Sequence, residues 1–212
     1  MSFYNDIVEY AIHNAENDII DNISSEIFKI EGMSGRKNRI FLNSLMRNEK
    51  IKYLEIGSWK GSTLCSALYN NYPKYACAID NFSQWWSEDS PSLYFHENTK
   101  KFIKCDFDFF DVNCFLFNKN LIREKINVYF YDGDHKEEDH YKALEYYYDI
   151  FDDEFIFICD DWNWLDVKIG TYRAIRDLNL NICFSTEKNS PFNGDETGWW
   201  NGLLISILKK SK

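Results

Sequence analysis

From residue 51 onward, short apolar segments alternate with stretches whose apolar residues recur at helical spacing. Six segments are apolar nearly throughout, which is typical of strands buried on both faces of a parallel sheet. They cover residues 51–56, 75–79, 127–131, 154–159, 180–184 and 203–208. Alternation of strand and helix favours a doubly wound α/β fold. With one more short run at 102–105, we predict a seven-stranded, mostly parallel, Rossmann-like sheet.

The N-terminal part has a different pattern. Residues 3–30 carry apolar side chains at helical spacing, and a helical pattern resumes at about 38–47. We therefore predict an N-terminal helical cap over residues 1–50 that packs on a core formed by residues 51–212. A chain of 212 residues has the size of one domain.

The joint between the first strand and the next helix contains two glycines, in the sequence Glu55-Ile-Gly-Ser-Trp-Lys-Gly61. A dinucleotide fingerprint requires Gly-x-Gly-x-x-Gly, and Trp59 stands at its middle glycine. The spacing acid-x-Gly-x-x-x-Gly instead resembles motif I of class I S-adenosylmethionine (SAM) methyltransferases. The candidate cofactor contacts in this joint are Glu55, Gly57, Ser58, Gly61 and Ser62.

Five consecutive predicted strands end on at least one carboxylate. The acids are Glu55, Asp80, Asp106, Asp132 and the pair Asp160–Asp161. Ligands of doubly wound folds bind at the carboxyl ends of the strands. Asp80 is placed to accept hydrogen bonds from ribose hydroxyls, and Asp106 to meet an adenine amino group. The alternative is that such acids cap the helices that follow the strands.

Three of these acids would converge above neighbouring strands, namely Asp132, Asp160 and Asp161. Carboxylates at such short distances repel one another unless a cation lies between them. Oxygen ligands favour Mg2+, Mn2+ or Ca2+, so we predict a magnesium site at these three residues. His135 lies three residues after Asp132 and is our candidate general base.

The segments 53–63, Tyr131-Asp-Gly-Asp-His135 and Cys159-Asp-Asp-Trp162 together resemble the macrocin/mycinamicin-type (TylF-like) sugar O-methyltransferase family, over residues 31–208. The resemblance implies a SAM-dependent methyltransferase sheet and methyl transfer to a hydroxyl of a sugar, glycan or other small molecule. It also implies Mg2+ bound by Asp132, Asp160 and Asp161, with His135 as the base and Asp132 at the catalytic centre.

The composition bears on partners and location. The formal charge is −10, which disfavours a nucleic-acid substrate because phosphate binding relies on Lys and Arg. Six cysteines are scattered singly. No signal-peptide pattern and no apolar run of about 20 residues is present. We therefore expect a cytoplasmic protein with reduced thiols and no membrane partner.

Tryptophans and one long segment suggest where an acceptor binds. Trp85–Trp86, Trp199–Trp200, Trp162 and Trp164 fall in predicted loops or at strand ends, where indole faces suit stacking on a ring. Segment 81–101 is our candidate acceptor lid. The N-terminal helices are a candidate surface for a homo-oligomer.

Three other functions stay open at this point. The first is a metal-independent methyltransferase of the same fold, in which the acids only cap helices. The second is a non-catalytic SAM-binding scaffold. The third is a nicotinamide enzyme, which the departure from the dinucleotide fingerprint disfavours.

Overall fold

One seven-stranded sheet organises the protein, with strand order β3-β2-β1-β4-β5-β7-β6. The computed structural model describes residues 3–83 and 90–211. The strands are β1 (Lys52–Ile56), β2 (Tyr75–Asp80), β3 (Asp108–Asp111), β4 (Ile126–Tyr131), β5 (Phe151–Cys159), β6 (Leu180–Lys188) and β7 (Leu203–Lys210). β1 to β5 pair in parallel, whereas β7 runs antiparallel to both β5 and β6. The predicted mostly parallel α/β sheet is confirmed.

Helices cover both faces of this sheet. They are α1 (Phe3–Glu16), α2 (Arg36–Leu45), α3 (Ser62–Leu68), α4 (Pro91–Phe102), α5 (Glu137–Tyr147) and α6 (Leu165–Asp177). Short 3-10 turns lie at Ile27–Lys29, Lys119–Leu121 and Tyr148–Ile150. Among the described residues, no helix is both long enough and apolar enough to cross a bilayer.

Each central strand contributes to two hydrophobic cores. In β4, Val128 and Phe130 pack with residues of α1, α2 and α3, while Tyr129 and Tyr131 pack with residues of α5 and α6. Successive side chains of a strand point to opposite faces, so a strand between two helical layers has no face open to solvent. This explains why all six residues of β4 are buried.

The N-terminal helices share the first of these cores with the sheet. α2 is the better buried of the two and carries Arg39, whose guanidinium donates to the carbonyls of Ile27 and Ile30 and to Ser34 Oγ. Burial lowers the pKa of Arg39 to about 10. These bonds hold the segment between α1 and α2 against α2, and Met33 of that segment reaches the cavity at the end of the sheet.

The third strand was predicted in the wrong place. The run 102–105 begins at Phe102, the last residue of α4, and β3 begins only at Asp108. Phe102 and Ile103 are apolar because they pack beneath the end of α4. A short apolar run of this kind cannot be distinguished from a strand by its pattern alone.

The turn after β1 lies close against the end of β4. Gly57 has φ +85°, and a Cβ on it would lie 1.7 Å from the carbonyl oxygen of Asp132. Its N–H donates to the carbonyl of Ile79, while Asp132 N–H donates to the carbonyl of Ile56. The turn therefore joins the ends of three strands and has no room for a side chain at this position.

Glu55 lies beneath this turn and is fully buried. Its carboxylate accepts hydrogen bonds from Tyr53 Oη at 2.6 Å and from Thr63 Oγ1 at 2.9 Å. Burial raises the pKa of Glu55 to about 7, against these hydrogen bonds, which lower it. The acid thus ties β1 to α3 below the turn.

We expect Gly57→Ala to lower the free energy of unfolding by more than about 3 kcal/mol, because positive φ and the backbone clash act together. Gly194→Ala is the matched control, since Gly194 has φ +82° and nothing within 4 Å of its added Cβ. This control should lose only about 1 kcal/mol. Urea denaturation of both variants measures the difference, and equal losses would contradict the close approach at Gly57.

We expect Glu55 to make stability depend on pH. Its folded pKa of about 7 lies above the ordinary value of 4.5, so the folded protein holds this proton more tightly than the unfolded chain. The contribution of Glu55 to the free energy of unfolding is complete below about pH 4.5 and falls by roughly 3 kcal/mol as the pH rises through 7. Glu55→Gln should therefore flatten the fall in unfolding free energy between pH 5 and 8 in urea titrations; an unchanged slope would contradict this account.

Candidate functional site

The carboxyl ends of β1, β2 and β4 open into a cavity of about 520 Å3. In the sheet, β1 lies between β2 and β4, so the chain leaves β1 toward one side of the sheet, to β2, and leaves β4 toward the other side, to β5. That reversal is where doubly wound folds bind their ligands. Five of the predicted site residues line the cavity: Gly57, Asp80, Asp132, His135 and Asp161.

Asp80 closes β2 and faces the glycine turn. Its Oδ2 accepts a hydrogen bond of 2.7 Å from Trp59 N–H, and its Oδ1 accepts one of 2.6 Å from Phe82 N–H. Burial raises the pKa of Asp80, while these backbone donors lower it. Each carboxylate oxygen has a second lone pair, so Asp80 can still accept bonds from a ligand in the cavity.

Trp59 has a left-handed backbone, with φ +42°, which is uncommon for a residue with a side chain. The bond from its N–H to Asp80 supports this conformation. Next to it, Lys60 is buried, pairs with Glu31 at 2.7 Å and lies 4.7 Å from the ring centroids of Trp59 and Tyr94. Trp59 lines the cavity, so this residue brings an aromatic ring to the position where a dinucleotide fingerprint has glycine.

The other predicted residues of the turn support it from below. Glu55, Ser58 and Ser62 are buried and do not line the cavity, and Ser62 Oγ lies 3.3 Å from Ser34 Oγ. Gly61 also lies outside the cavity lining and has φ +84° just before α3. The turn presents Gly57 and Trp59 to the cavity instead, and contacts of these four residues with a cofactor stay a prediction.

Asp106 is also not where the sequence placed it. It is exposed and precedes β3, which runs parallel to β2, so it lies toward the amino end of the sheet, away from the cavity. The error follows from the misplaced third strand. After the true end of β3, Val112, Asn113 and Cys114 line the cavity and stand where Asp106 was expected.

Beyond Asp80, the cavity holds an acidic cluster with a histidine. Asp132, His135 and Asp161 each offer a ligand atom, and these atoms lie within 4.8 Å of one another. His135 Nε2 is 2.5 Å from Asp161 Oδ2, and the ring of Trp164 packs edge-on against His135 at 4.3 Å. The sequence placed Asp132, His135, Asp160 and Asp161 at one site, and the structure brings Asp132, His135 and Asp161 together.

Electrostatics in this cluster follow from burial and crowding. Burial, and next the charges of Asp160 and Asp161, hold the pKa of Asp132 well above its ordinary value. Burial would lower the pKa of His135, but the hydrogen bond and charge of Asp161 raise it overall. The carboxylates are therefore crowded enough to repel one another, and the cluster favours a positive charge between them, from a proton or a cation.

Asp160 does not join the cluster. It is 2 % exposed, and its Oδ1 accepts a hydrogen bond of 3.3 Å from Asn38 Nδ2 in α2. The prediction of Asp160 as a metal ligand is therefore not supported by its position. Consecutive side chains at a strand end point to opposite faces, and Asp161, at φ +56°, is the one that turns into the cavity.

Among the cavity-lining residues that sequence reasoning missed are Asn201 and Met33. Asn201 donates from Nδ2 to Asp161 Oδ1 at 2.5 Å, and Met33 reaches the cavity from the N-terminal segment. Neither carries a motif or a local pattern that would have identified it. Only the tertiary fold brings these distant positions to the cavity.

The tryptophans divide into two groups. Trp164 and Trp200 line the cavity, as expected for an acceptor site. Trp162 and Trp199 are buried and belong to the two cores. Trp85 and Trp86, with the part of the predicted lid at residues 84–89, lie outside the described residues.

Comparison with known proteins identifies the fold. No protein-family model matches this sequence, and no curated protein matches it. A solved O-methyltransferase from Bacillus cereus, in complex with S-adenosyl-homocysteine (SAH), superposes with a TM-score of 0.58 and 12 % identity, over 98 % of this chain and 100 % of that one. TrmK of M. capricolum, also in complex with SAH, superposes with a TM-score of 0.53 and 16 % identity, over 90 % and 70 % of the two chains.

Two further solved structures are similar to this chain, and one of them is an rRNA methylase. TrmN from Thermus thermophilus superposes with a TM-score of 0.58 and 10 % identity, over 88 % of this chain and 52 % of that one. An rRNA methylase from Streptococcus thermophilus superposes with a TM-score of 0.53 and 13 % identity, over 84 % and 96 %. The chain therefore has the Rossmann-like fold of class I SAM-dependent methyltransferases.

Proposed function

We propose that this protein is a SAM-dependent O-methyltransferase that binds a divalent cation and methylates a hydroxyl of a sugar, glycan or other small molecule. One observation carries the proposal. A single cavity contains the turn with Asp80 on one side and the cluster of Asp132, His135 and Asp161 on the other. A cofactor and a hydroxylated acceptor would thus meet between them.

We assign the cofactor to the side of the cavity formed by β1 and β2. Asp80 would accept the ribose hydroxyls, because its carboxylate is fixed by two backbone N–H groups and faces the cavity. Gly57 lets the ligand approach the backbone, and Phe82 and Asn113 close the neighbouring wall. Two of the similar structures are described with SAH bound, which supports this choice of cofactor.

The donor set of the cluster fits a divalent cation. Asp132 and Asp161 supply carboxylate oxygens and His135 supplies an imidazole nitrogen. The sequence had led us to expect oxygen ligands alone and hence Mg2+. An imidazole among the donors favours Mn2+ or another first-row transition metal over Mg2+.

Methyl transfer needs little covalent chemistry from the protein. The acceptor oxygen attacks the methyl carbon in line, the carbon–sulfur bond breaks so that SAM leaves as SAH, and the hydroxyl proton passes to a base of the cluster, Asp132 or His135. The chain's residues must therefore align the acceptor and hold it dry. A divalent cation would lower the pKa of an acceptor hydroxyl beside it.

A metal-independent reaction is the second candidate, and the 2.5 Å contact of His135 Nε2 with Asp161 Oδ2 favours it. In that case His135 takes the acceptor proton itself, and the Asp161 carboxylate stabilises the imidazolium that results. Asp161 is essential in both mechanisms. Dependence of turnover on an added cation separates them.

We infer the class of acceptor from the residues that line the cavity and from the net charge of the protein. Trp164 and Trp200 line the cavity next to the cluster, where their indole faces suit stacking on a sugar or aromatic ring. The net charge of −10 opposes a nucleic-acid acceptor, although some similar structures are RNA methylases. The likeness of the motifs at 53–63, 131–135 and 159–162 to the TylF-like family also supports a sugar hydroxyl.

We expect Asp161→Asn to weaken Mn2+ binding to the metal-stripped protein more than about 100-fold. Loss of a residue that only supports a metal ligand costs about 10- to 100-fold, and loss of a ligand itself should cost more. Asp160→Asn is the matched control, since it is an adjacent acid with the same change of charge but lies outside the cluster. It should bind Mn2+ within a few-fold of wild type. Mn2+ titrations followed by electron paramagnetic resonance measure both.

Equal losses in the two variants would show that Asp160 is a ligand, as the sequence suggested. Wild-type protein that binds neither Mn2+ nor Mg2+ would contradict the cation site and leave the metal-independent mechanism.

A further inference from the structure

We propose that Asn201 is a positioning residue, which orients the Asp161 carboxylate toward the cavity. This inference rests on the proposed function, because Asp161 is important there as a cation ligand or as the partner of His135. Asn201 itself would touch neither cation nor acceptor. Its hydrogen bond determines which oxygen of Asp161 is available to the cation or to His135.

The hydrogen bonds of Asn201 determine the direction of its amide. Gly194 N–H donates to Asn201 Oδ1 at 2.8 Å, and a backbone N–H can only donate. The amide NH2 group must therefore face the other way, where Nδ2 lies 2.5 Å from Asp161 Oδ1. Asn201 is thus a donor to Asp161 and cannot offer its oxygen as a ligand at that position.

This donor leaves the second oxygen of Asp161 for the cluster. Asp161 Oδ1 is held by Asn201, whereas Oδ2 is the atom 2.5 Å from His135 Nε2. A carboxylate with one oxygen held cannot rotate about its Cβ–Cγ bond without losing that bond. The bond from Asn201 therefore presents Oδ2 to the cavity.

Asp161 needs such support because its backbone is unusual. It has φ +56°, a left-handed conformation that costs of order 1 kcal/mol or more for a residue with a side chain. Its carbonyl accepts a hydrogen bond of 3.0 Å from Trp164 N–H. This strained residue carries one of the two carboxylates of the cluster, and the orientation of that carboxylate depends on contacts from outside its own strand.

Asn201 is held in place by the segment 194–202, which in turn is held by the N-terminal cap. Asn163 N–H donates to the carbonyl of Asn201 at 2.7 Å. Trp199 is buried against Phe41 of α2, with ring centroids 6.2 Å apart. The ring anchors the segment two residues before Asn201.

The start of α2 makes the second attachment. Arg36 N–H donates to the carbonyl of Glu196 at 2.8 Å and Lys37 N–H to that of Gly198 at 3.1 Å. A Cβ on Gly35 would lie 2.2 Å from Gly198 O, so the two backbones are in close contact. A chain of contacts thus runs from α2 through the segment 194–202 to Asn201 and Asp161.

The test uses the full chain with Asn201→Leu, which removes both hydrogen bonds of the side chain and keeps a side chain of similar size. Asn201→Ser is the second variant, in case the leucine variant does not fold. Asn193→Ala is the matched control, because Asn193 lies directly before the segment 194–202 and its loss removes one exposed hydrogen bond from Asn163 without affecting the contact with Asp161. Mn2+ affinity, SAH affinity and melting temperature are measured for each, and metal-free crystal structures are compared.

We expect the Asn201 variants to bind Mn2+ about 10- to 100-fold more weakly than wild type. Their SAH affinity and melting temperature should match those of Asn193→Ala, since a merely structural role would change these as well. Unchanged Mn2+ affinity in the variants would overturn the proposal and leave the proposed function intact.

If wild type itself binds no Mn2+, the cation site fails and the crystal structures decide about Asn201. An Asp161 carboxylate that is rotated in the variant would support the positioning role. A carboxylate unmoved without Asn201 would overturn it.

Discussion

The close contact between the turn after β1 and the end of β4 determines the geometry of the whole cavity. Gly57 lies against the carbonyl of Asp132 with no space for a Cβ, and Asp132 N–H is bonded to the carbonyl of Ile56. Because the strand order reverses between β1 and β4, this contact lies at the floor of the crevice. It sets the proposed cofactor wall and the acidic cluster side by side.

Concentrated negative charge is the second constraint. Glu55, Asp80, Asp132, Asp160 and Asp161 all end strands within this region, and each is satisfied in a different way. Glu55 accepts hydroxyl donors, Asp80 accepts backbone donors, and Asp160 accepts an amide donor from α2. Asp132 and Asp161 instead face the cavity with His135, and they are the pair that a cation would satisfy.

Much of this arrangement follows from local sequence, and the rest does not. The strands of β1, β4 and β5 are apolar runs whose ends were predictable, so Asp132 and Asp161 could be placed at one edge of the sheet. Asp106 was misplaced because apolar residues at the end of α4 resemble a strand. The exclusion of Asp160 depends on side-chain direction at a strand end, and Asn201 is brought in by a segment 40 residues after Asp161 in the chain. Such contacts have no local signal.

We propose that the wall formed by Gly57, Trp59 and Asp80 binds SAM. Calorimetric titration of the purified protein with SAH, and separately with NADH, tests it most directly. We predict one SAH site per chain with micromolar affinity and no heat from NADH. Asp80→Asn should weaken SAH binding at least tenfold, while Asp106→Asn should leave it unchanged. No heat at millimolar SAH, or tighter binding of NADH, would contradict the account.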